Sequence, residues 1–145
     1  FRPEEYIGID IDQETLSQAR LLHPEHRFCH DNELDPAGNS FDCIVLLAVI
    51  EHIHDPAAFL KDLKGFLSKN GSIILTTPHP AFERIYKTGS RIGLFSQEAA
   101  EEHQQELDKR ALKSMAHQAG LEITHYKKFL FGANQLVVLK NTETP

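Results

Sequence analysis

Short apolar segments alternate with amphipathic segments along most of the chain. The most apolar segment, residues 43–50, is rich in branched side chains and stops abruptly at Glu51 and His52, which is typical of a strand buried on both faces. Asp55 and Pro56 then offer an N-cap and a first helical residue. The pattern therefore predicts a buried strand whose polar end leads into a helix, and open α/β sheets bind their ligands at such strand ends.

The same alternation predicts the other elements. The predicted strands are residues 5–10, 27–30, 72–77, 121–129 and 135–140; helices are predicted after Asp12, after Asp55 and up to Ala119. Asn70-Gly71 predicts the end of the second helix. The element order predicts an α/β fold with a doubly wound, mostly parallel sheet, and the short connection 130–134 predicts a C-terminal antiparallel hairpin. Residues 81–96 are irregular and are predicted to be an insertion or lid within a single domain, residues 1–145.

Composition narrows the possible partners. The chain has 145 residues, 41% of them hydrophobic and 25% charged, which is typical of one soluble domain. The net charge of −6 argues against a nucleic-acid partner, and scattered Lys and Arg argue against a membrane surface. Cys29 and Cys43 lie in strand-like segments and are predicted to be buried thiols in a reducing cytoplasm. The nine histidines show no zinc-type spacing with cysteines.

Five segments in order carry a resemblance: YIGIDID, FCHD, NSFDCIVLLAVIEHIHDP, LKGFLSKNGSIILTTP and LKSMAHQAGLEI. Together they resemble the class I S-adenosylmethionine-dependent methyltransferases, in particular the small-molecule group that includes ubiquinone-biosynthesis enzymes. The resemblance covers about residues 6–140. It implies a Rossmann-like fold and a cytoplasmic enzyme that transfers a methyl group from S-adenosyl-L-methionine to a small-molecule acceptor.

The resemblance also implies the cofactor contacts. Asp10 stands where the family has the acid that binds both ribose hydroxyls, and Ile11 would pack on the adenine. Asp31 stands where an acid binds the adenine amino group, with the backbone N–H of Asn32 near adenine N1. Leu47 and the residues after it would line the methionine end. Without the resemblance, Asp10 and Asp31 could equally cap a turn or a helix.

The substrate side is predicted at the end of the central apolar segment. Glu51 and His52 would face the substrate, and His52, then His79, are the candidates for a general base if the acceptor must lose a proton. An equally good interpretation of His52 is a polar residue at a helix start. Ubiquinone-type O-methyltransferases carry a glutamate three residues before this pair, which supports a metal. Ala48 stands there, so we expect no metal.

One family feature is not found in this sequence. The glycine-rich first motif should precede Tyr6, where only five residues stand. In the family, that first strand lies between the strands predicted at 5–10 and 43–47, and unpaired buried backbone groups are costly. We therefore expect a fragment of a longer enzyme, with residues 1–145 inactive by themselves. Direct pairing of the flanking strands, or a homodimer that fills the gap, is the alternative.

Two other functions stay open at this point. A nicotinamide-dependent oxidoreductase also uses an acid after its second strand, although the predicted antiparallel hairpin disfavours that class. A non-catalytic binding module with a degenerate methyltransferase fold is the other alternative. The identity of a bound ligand would separate these functions.

Overall fold

Residues 2–38, 40–81 and 107–142 are described by the structure, which is a computed structural model. The chain is divided into two units, Phe1–Ser40 and Phe41–Pro145. The prediction of an insertion or lid at 81–96 lies outside the described residues except for Ala81, and the prediction of a single domain stays a prediction. None of the helices in the described ranges is long and apolar enough to cross a membrane.

The first unit is a strand–helix–strand unit. Strands β1 (Ile7–Asp10) and β2 (Arg27–His30) pair in parallel, with Asp10 opposite His30. Helix α1 (Gln13–Leu22) connects them. It begins where predicted because the Asp12 side chain accepts hydrogen bonds from two backbone N–H groups of the first turn. Both strands of a parallel pair end at the same edge, so this edge carries the residues that follow β1 and β2.

The second unit is a mixed four-stranded sheet with two helices. Its elements are β3 (Phe41–Leu47), α2 (Pro56–Lys64), β4 (Leu67–Pro78), α3 (Lys109–Gln118), β5 (Leu121–Phe129) and β6 (Asn134–Asn141). The strand order is β3-β4-β6-β5. Strand β3 pairs in parallel with β4, and β6 is antiparallel to both β4 and β5. The α/β class and the C-terminal antiparallel hairpin are confirmed.

The predicted boundary between the second helix and the next strand is wrong. Helix α2 ends at Lys64 with Gly65 as its C-cap, and Asn70-Gly71 lies inside β4. A Cβ atom at position 71 would lie 2.8 Å from the carbonyl oxygen of Phe41. This glycine is therefore needed for the close approach of β3 and β4 and does not end a helix.

The predicted double burial of β3 is also not seen. One face of the strand contributes Leu46 to the core, whereas Cys43, Val45 and Leu47 on the other face are exposed. Cys43 was predicted to be buried, and the structure corrects this. Cys29 is buried as expected, and its burial raises the pKa of the thiol. Within the described residues, β3 pairs only with β4 and β1 only with β2, so each has one unpaired edge.

The core of the second unit joins the sheet to both helices. Burial of each aliphatic side chain contributes about 1.5–3 kcal/mol. The fully buried members are Ile50, Leu60, Ile73, Leu75, Leu112, Leu121, Val137 and Leu139.

A buried glutamine fixes one end of this core. Gln135 is 0% exposed, and its Nε2 donates to the carbonyl oxygens of Pro78 at 3.1 Å and Leu107 at 2.8 Å. Its Oε1 accepts a hydrogen bond of 2.8 Å from the Tyr126 hydroxyl. Burial and the nearby Asp108 carboxylate raise the pKa of Tyr126, so the phenol keeps the proton that it donates. The amide therefore links the end of β4, the residue before the N-cap of α3 and strand β5.

We expect Gln135→Leu to lower the free energy of unfolding by about 2–4 kcal/mol, because each buried polar group left unpaired costs about 1–3 kcal/mol. Tyr126→Phe leaves only the Oε1 of Gln135 unpaired and should cost less, about 1–2 kcal/mol. Urea unfolding followed by circular dichroism measures both variants. A Gln135→Leu variant as stable as Tyr126→Phe would show that the amide does not carry this part of the fold.

Candidate functional site

The carboxyl end of β1 presents a carboxylate beside an exposed apolar side chain. Oδ1 of Asp10 accepts a hydrogen bond of 2.9 Å from the backbone N–H of Asp12, so it closes a short turn. Oδ2 makes no hydrogen bond to the rest of the described chain, and Ile11 is 74% exposed. The two sequence interpretations of Asp10 are thus compatible, since one oxygen holds the turn while the other keeps its capacity to accept a hydrogen bond.

The carboxyl end of β2 holds Asp31 and Asn32 in a short 3-10 turn, Asp31–Glu33. Nδ1 of His30 lies 2.6 Å from Oδ1 of Asp31 and 3.4 Å from the backbone nitrogen of Asn32. Nδ1 of His30 accepts a hydrogen bond from the Asn32 N–H. At 3.4 Å this bond is longer than usual for N–H donation, so the Asn32 N–H is only weakly engaged.

A change of backbone direction follows β3. Leu47 is 64% exposed, and Ala48 adopts φ 53° in the left-handed region, which costs a non-glycine residue about 1 kcal/mol. The Ala48 N–H donates to the carbonyl oxygen of Thr76 at 3.1 Å. Non-glycine residues held in this region are often found at functional sites. The turn directs the chain into the 3-10 helix Ile50–His52.

Glu51 lies inside the fold rather than on its surface. The residue is 2% exposed, and its Oε2 is buried without a hydrogen-bond partner among the described residues. The Oγ1 of Thr77, near the end of the adjacent β4, is in the same situation. Unpaired buried polar groups are rare and call for an explanation. The contact of Glu51 with a substrate stays a prediction. The side chain is buried, so Glu51 does not lie at an exposed entrance of the site.

His52 and His79 follow neighbouring strands. His52 is exposed in the 3-10 helix after β3. His79 follows β4, where its backbone N–H donates to Ala133 at 2.8 Å and its Nδ1 accepts a hydrogen bond of 3.2 Å from the Ala81 backbone N–H. An accepting Nδ1 puts the proton of the neutral ring on Nε2. Desolvation, followed by the Lys128 charge, lowers the pKa of His79, and Asp108 opposes this.

Comparison with known proteins decides the family. A family model described as a methyltransferase domain matches residues 1–126. The chain belongs to the methyltransferase domain family. The resemblance to class I S-adenosylmethionine-dependent methyltransferases is thereby confirmed.

Curated relatives of this methyltransferase domain act on different acceptors. A tRNA U34 carboxymethyltransferase of Campylobacter jejuni subsp. jejuni is 36% identical over 90 residues, which cover 58% of this chain and 31% of the relative. A ubiquinone biosynthesis O-methyltransferase of Parvibaculum lavamentivorans is 40% identical over 77 residues, which cover 49% of this chain and 30% of the relative. The chain spans about a third of the length of these relatives.

Solved structures share the fold. An S-adenosylmethionine-dependent methyltransferase from Clostridium acetobutylicum has a TM-score of 0.68 at 14% identity, covering 93% of this chain and 74% of that protein. The magnesium protoporphyrin IX methyltransferase from Synechocystis with bound SAH has a TM-score of 0.65 at 16% identity, covering 94% and 64%. These likenesses show the Rossmann-like fold of the methyltransferase domain.

The predicted residues fall into two groups, one in each unit. In the first unit, Asp10 ends β1 and Asp31 follows β2, and because the two strands are parallel both residues lie at one sheet edge. In the second unit, the carboxyl ends of β3 and β4 carry the others: Leu47, Glu51, His52 and His79.

Sequence reasoning missed two polar residues near this second edge. Thr77 and Gln135 are paired across β4 and β6, and both are buried. Gln135 has the same strand parity as the buried Val137 and Leu139. That parity was the signal that could have placed its side chain in the core.

We expect His79 to titrate below the ordinary histidine value of 6.5 in an NMR pH titration. Lys128→Gln removes a positive charge that lowers the pKa of His79, so it should raise this pKa. Asp108→Asn removes a negative charge that raises the pKa but keeps the helix cap, so the pKa should fall further. Because the unfolded chain has the ordinary pKa, the stability due to neutral His79 is fully present above about pH 6.5. It is lost as the pH falls through the folded-state pKa. A His79 pKa at or above 6.5 would refute this description.

Proposed function

We propose that the protein containing this chain transfers a methyl group from S-adenosyl-L-methionine to a small-molecule acceptor. The observation that carries the proposal is the strand order β3-β4-β6-β5, with the reversed strand β6 between β4 and β5. An all-parallel dinucleotide-binding sheet has no such strand, which disfavours the nicotinamide-dependent oxidoreductase. Membership of the methyltransferase domain family supports the same choice.

The first unit supplies the groups suited to the nucleoside part of the cofactor. The carboxylate of Asp10 keeps one oxygen for a ribose hydroxyl, and the exposed Ile11 offers an apolar surface for a base. Asp31 is exposed and can accept from an adenine amino group, although it must share its Oδ1 with His30. The N–H of Asn32 is held only by a 3.4 Å contact, so it can turn to an adenine acceptor.

The second unit supplies the groups for the acceptor. S-adenosyl-L-methionine carries an already activated methyl group, so the protein contributes mainly position and exclusion of water. Leu47 can cover the methionine part, and the buried Glu51 can accept a hydrogen bond from an acceptor hydroxyl or amine. His52 is the better base, because the Nε2 of neutral His79 already holds a proton and can only donate.

The acceptor class follows from charge and from the relatives. The ubiquinone biosynthesis relative supports a small organic acceptor. A tRNA acceptor is the second candidate, favoured by the carboxymethyltransferase relatives and disfavoured by the net charge of −6 in this chain. Transfer of radiolabel from the cofactor to a metabolite pool or to tRNA separates the two. Cofactor binding without transfer to either would favour the non-catalytic module.

We also propose that the protein works in the cytoplasm. Both cysteines are free, and free thiols are usual in a reducing compartment. A small-molecule acceptor is the proposed partner, and a homodimer stays an untested prediction.

We expect Asp10→Asn in the full-length protein to weaken S-adenosyl-L-methionine binding by about 10- to 100-fold, since a hydrogen bond to a charged group contributes about 1.5–3 kcal/mol. Asp12→Asn is the matched control: it removes a charge two residues away and keeps the helix cap, so affinity should stay near wild type. Calorimetry measures both. Equal losses in the two variants would mean that Asp10 has no specific role.

We expect His52→Ala in the full-length protein to lower kcat by about 100-fold or more if a proton must leave the acceptor, with cofactor affinity unchanged. His79→Ala should lower kcat less, because the Nε2 of neutral His79 already holds a proton and cannot accept another. Single-turnover kinetics measures both variants. Wild-type turnover in His52→Ala would remove this residue from the mechanism.

A further inference from the structure

The turn between α1 and β2 contains a group of metal-ligating side chains that the proposed function does not use. Its sequence is His23-Pro24-Glu25-His26. The backbone N–H of His26 donates to the carbonyl oxygen of His23 at 3.0 Å, which closes a β-turn with proline at its second position. Proline fixes φ at that position, so the turn is stiff. Two imidazoles and a carboxylate are thereby held within three residues of one another.

The distances suit a single ion. Oε1 of Glu25 lies 2.9 Å from Nδ1 of His26 and 3.9 Å from Nδ1 of His23. One ligand atom from each of the three residues lies within 4.8 Å of the ligand atoms of the other two. Among the described residues, these three form the cluster of potential metal ligands. In a tetrahedral zinc site with bonds of about 2.0–2.1 Å, ligand atoms are about 3.3–3.4 Å apart. The distance from Glu25 to His26, 2.9 Å, is shorter than that value, and the distance from Glu25 to His23, 3.9 Å, is longer.

One ligand is held firmly by its surroundings. The His26 ring packs edge-on against Tyr6 at 5.4 Å between centroids, and the Phe28 ring lies at 6.5 Å. Its Nδ1 is buried and lies 2.9 Å from Oε1 of Glu25, but no hydrogen bond of acceptable geometry engages this nitrogen within the described part of the chain. A buried ring nitrogen without a partner is unusual. A bound cation would satisfy this nitrogen.

The other two ligands remain accessible to an ion from solvent. The side chains of His23 and Glu25 are 61% and 51% exposed, whereas that of His26 is 26% exposed. One packed ligand and two accessible ones allow an ion to enter without rearrangement of the fold. Two imidazoles with one carboxylate are the donor set of three-ligand zinc sites, in which water takes the fourth position.

We propose that His23, Glu25 and His26 form a binding site for a divalent first-row transition metal, with zinc as the ion used to test it. The expectation of no metal concerned the Glu51 and His52 pair in the second unit, whereas this turn belongs to the first. The ion would tie the end of α1 to the start of β2. It would stabilise the first unit, because free energy of binding to the folded form adds to folding stability. The site does not depend on the proposed methyl transfer.

The test is zinc titration of the tag-free, full-length protein after removal of metals with a chelator. Isothermal calorimetry should show one ion per chain. His26→Ala and, separately, Glu25→Gln should each weaken binding by at least about 10-fold, because loss of even an outer-shell partner costs about 10–100-fold. His117→Ala, which removes an exposed histidine on α3, is the matched control and should bind as wild type does.

A second measurement guards against misfolding of the packed His26 variant. His23 is exposed and outside regular structure, so His23→Ala should keep the circular dichroism spectrum while it lowers zinc affinity and removes the zinc-dependent rise in Tm. Cobalt should give visible absorption bands in the wild type that His23→Ala reduces. No zinc binding by the wild type, or equal binding by His23→Ala and the wild type, would overturn the proposal.

Discussion

Pairing of β4 on both of its edges is the constraint on which the second unit depends. Its backbone is hydrogen-bonded in parallel to β3 and antiparallel to β6, since buried N–H and C=O groups must find partners. The same pairing lines up Ile73 and Leu75, both fully buried, with the core residues of the neighbouring strands. It also brings the ends of β3 and β4 to one edge, so the position of every candidate residue in this unit follows from it.

The polar groups near that edge are of two kinds. Gln135 makes three hydrogen bonds and serves the fold. Glu51 and Thr77 are equally buried, yet each has an oxygen without a partner among the described residues. A satisfied amide in a core gives rigidity, whereas unsatisfied oxygens cost free energy. Such a cost is tolerated where a ligand can use the group, and this supports the proposal that Glu51 contacts the acceptor.

In the first unit, the proposed metal ligands and the proposed cofactor ligand lie at opposite ends of the short strand β2. His26 directly precedes β2, and Asp31 directly follows it. At about 3.3 Å per residue, a strand of four residues separates the proposed metal site from Asp31 by more than about 13 Å. The proposed ion is therefore too far from the Asp31 edge to bind a nucleoside there. Its role would be to stabilise the turn from α1 into β2.

The sequence by itself determined the order and type of the elements, because apolar periodicity and caps such as Asp12 and Asp55 act within a few residues. It also determined the family, and it placed Asp10 at the end of one strand and Asp31 directly after the next. Only the tertiary structure decided that Gly71 serves a close approach of two strands, that Cys43 is exposed and that the Gln135 amide bonds to the end of β4 and to β5. Each of these depends on contacts between segments far apart along the chain, and local sequence patterns carry no information about such contacts.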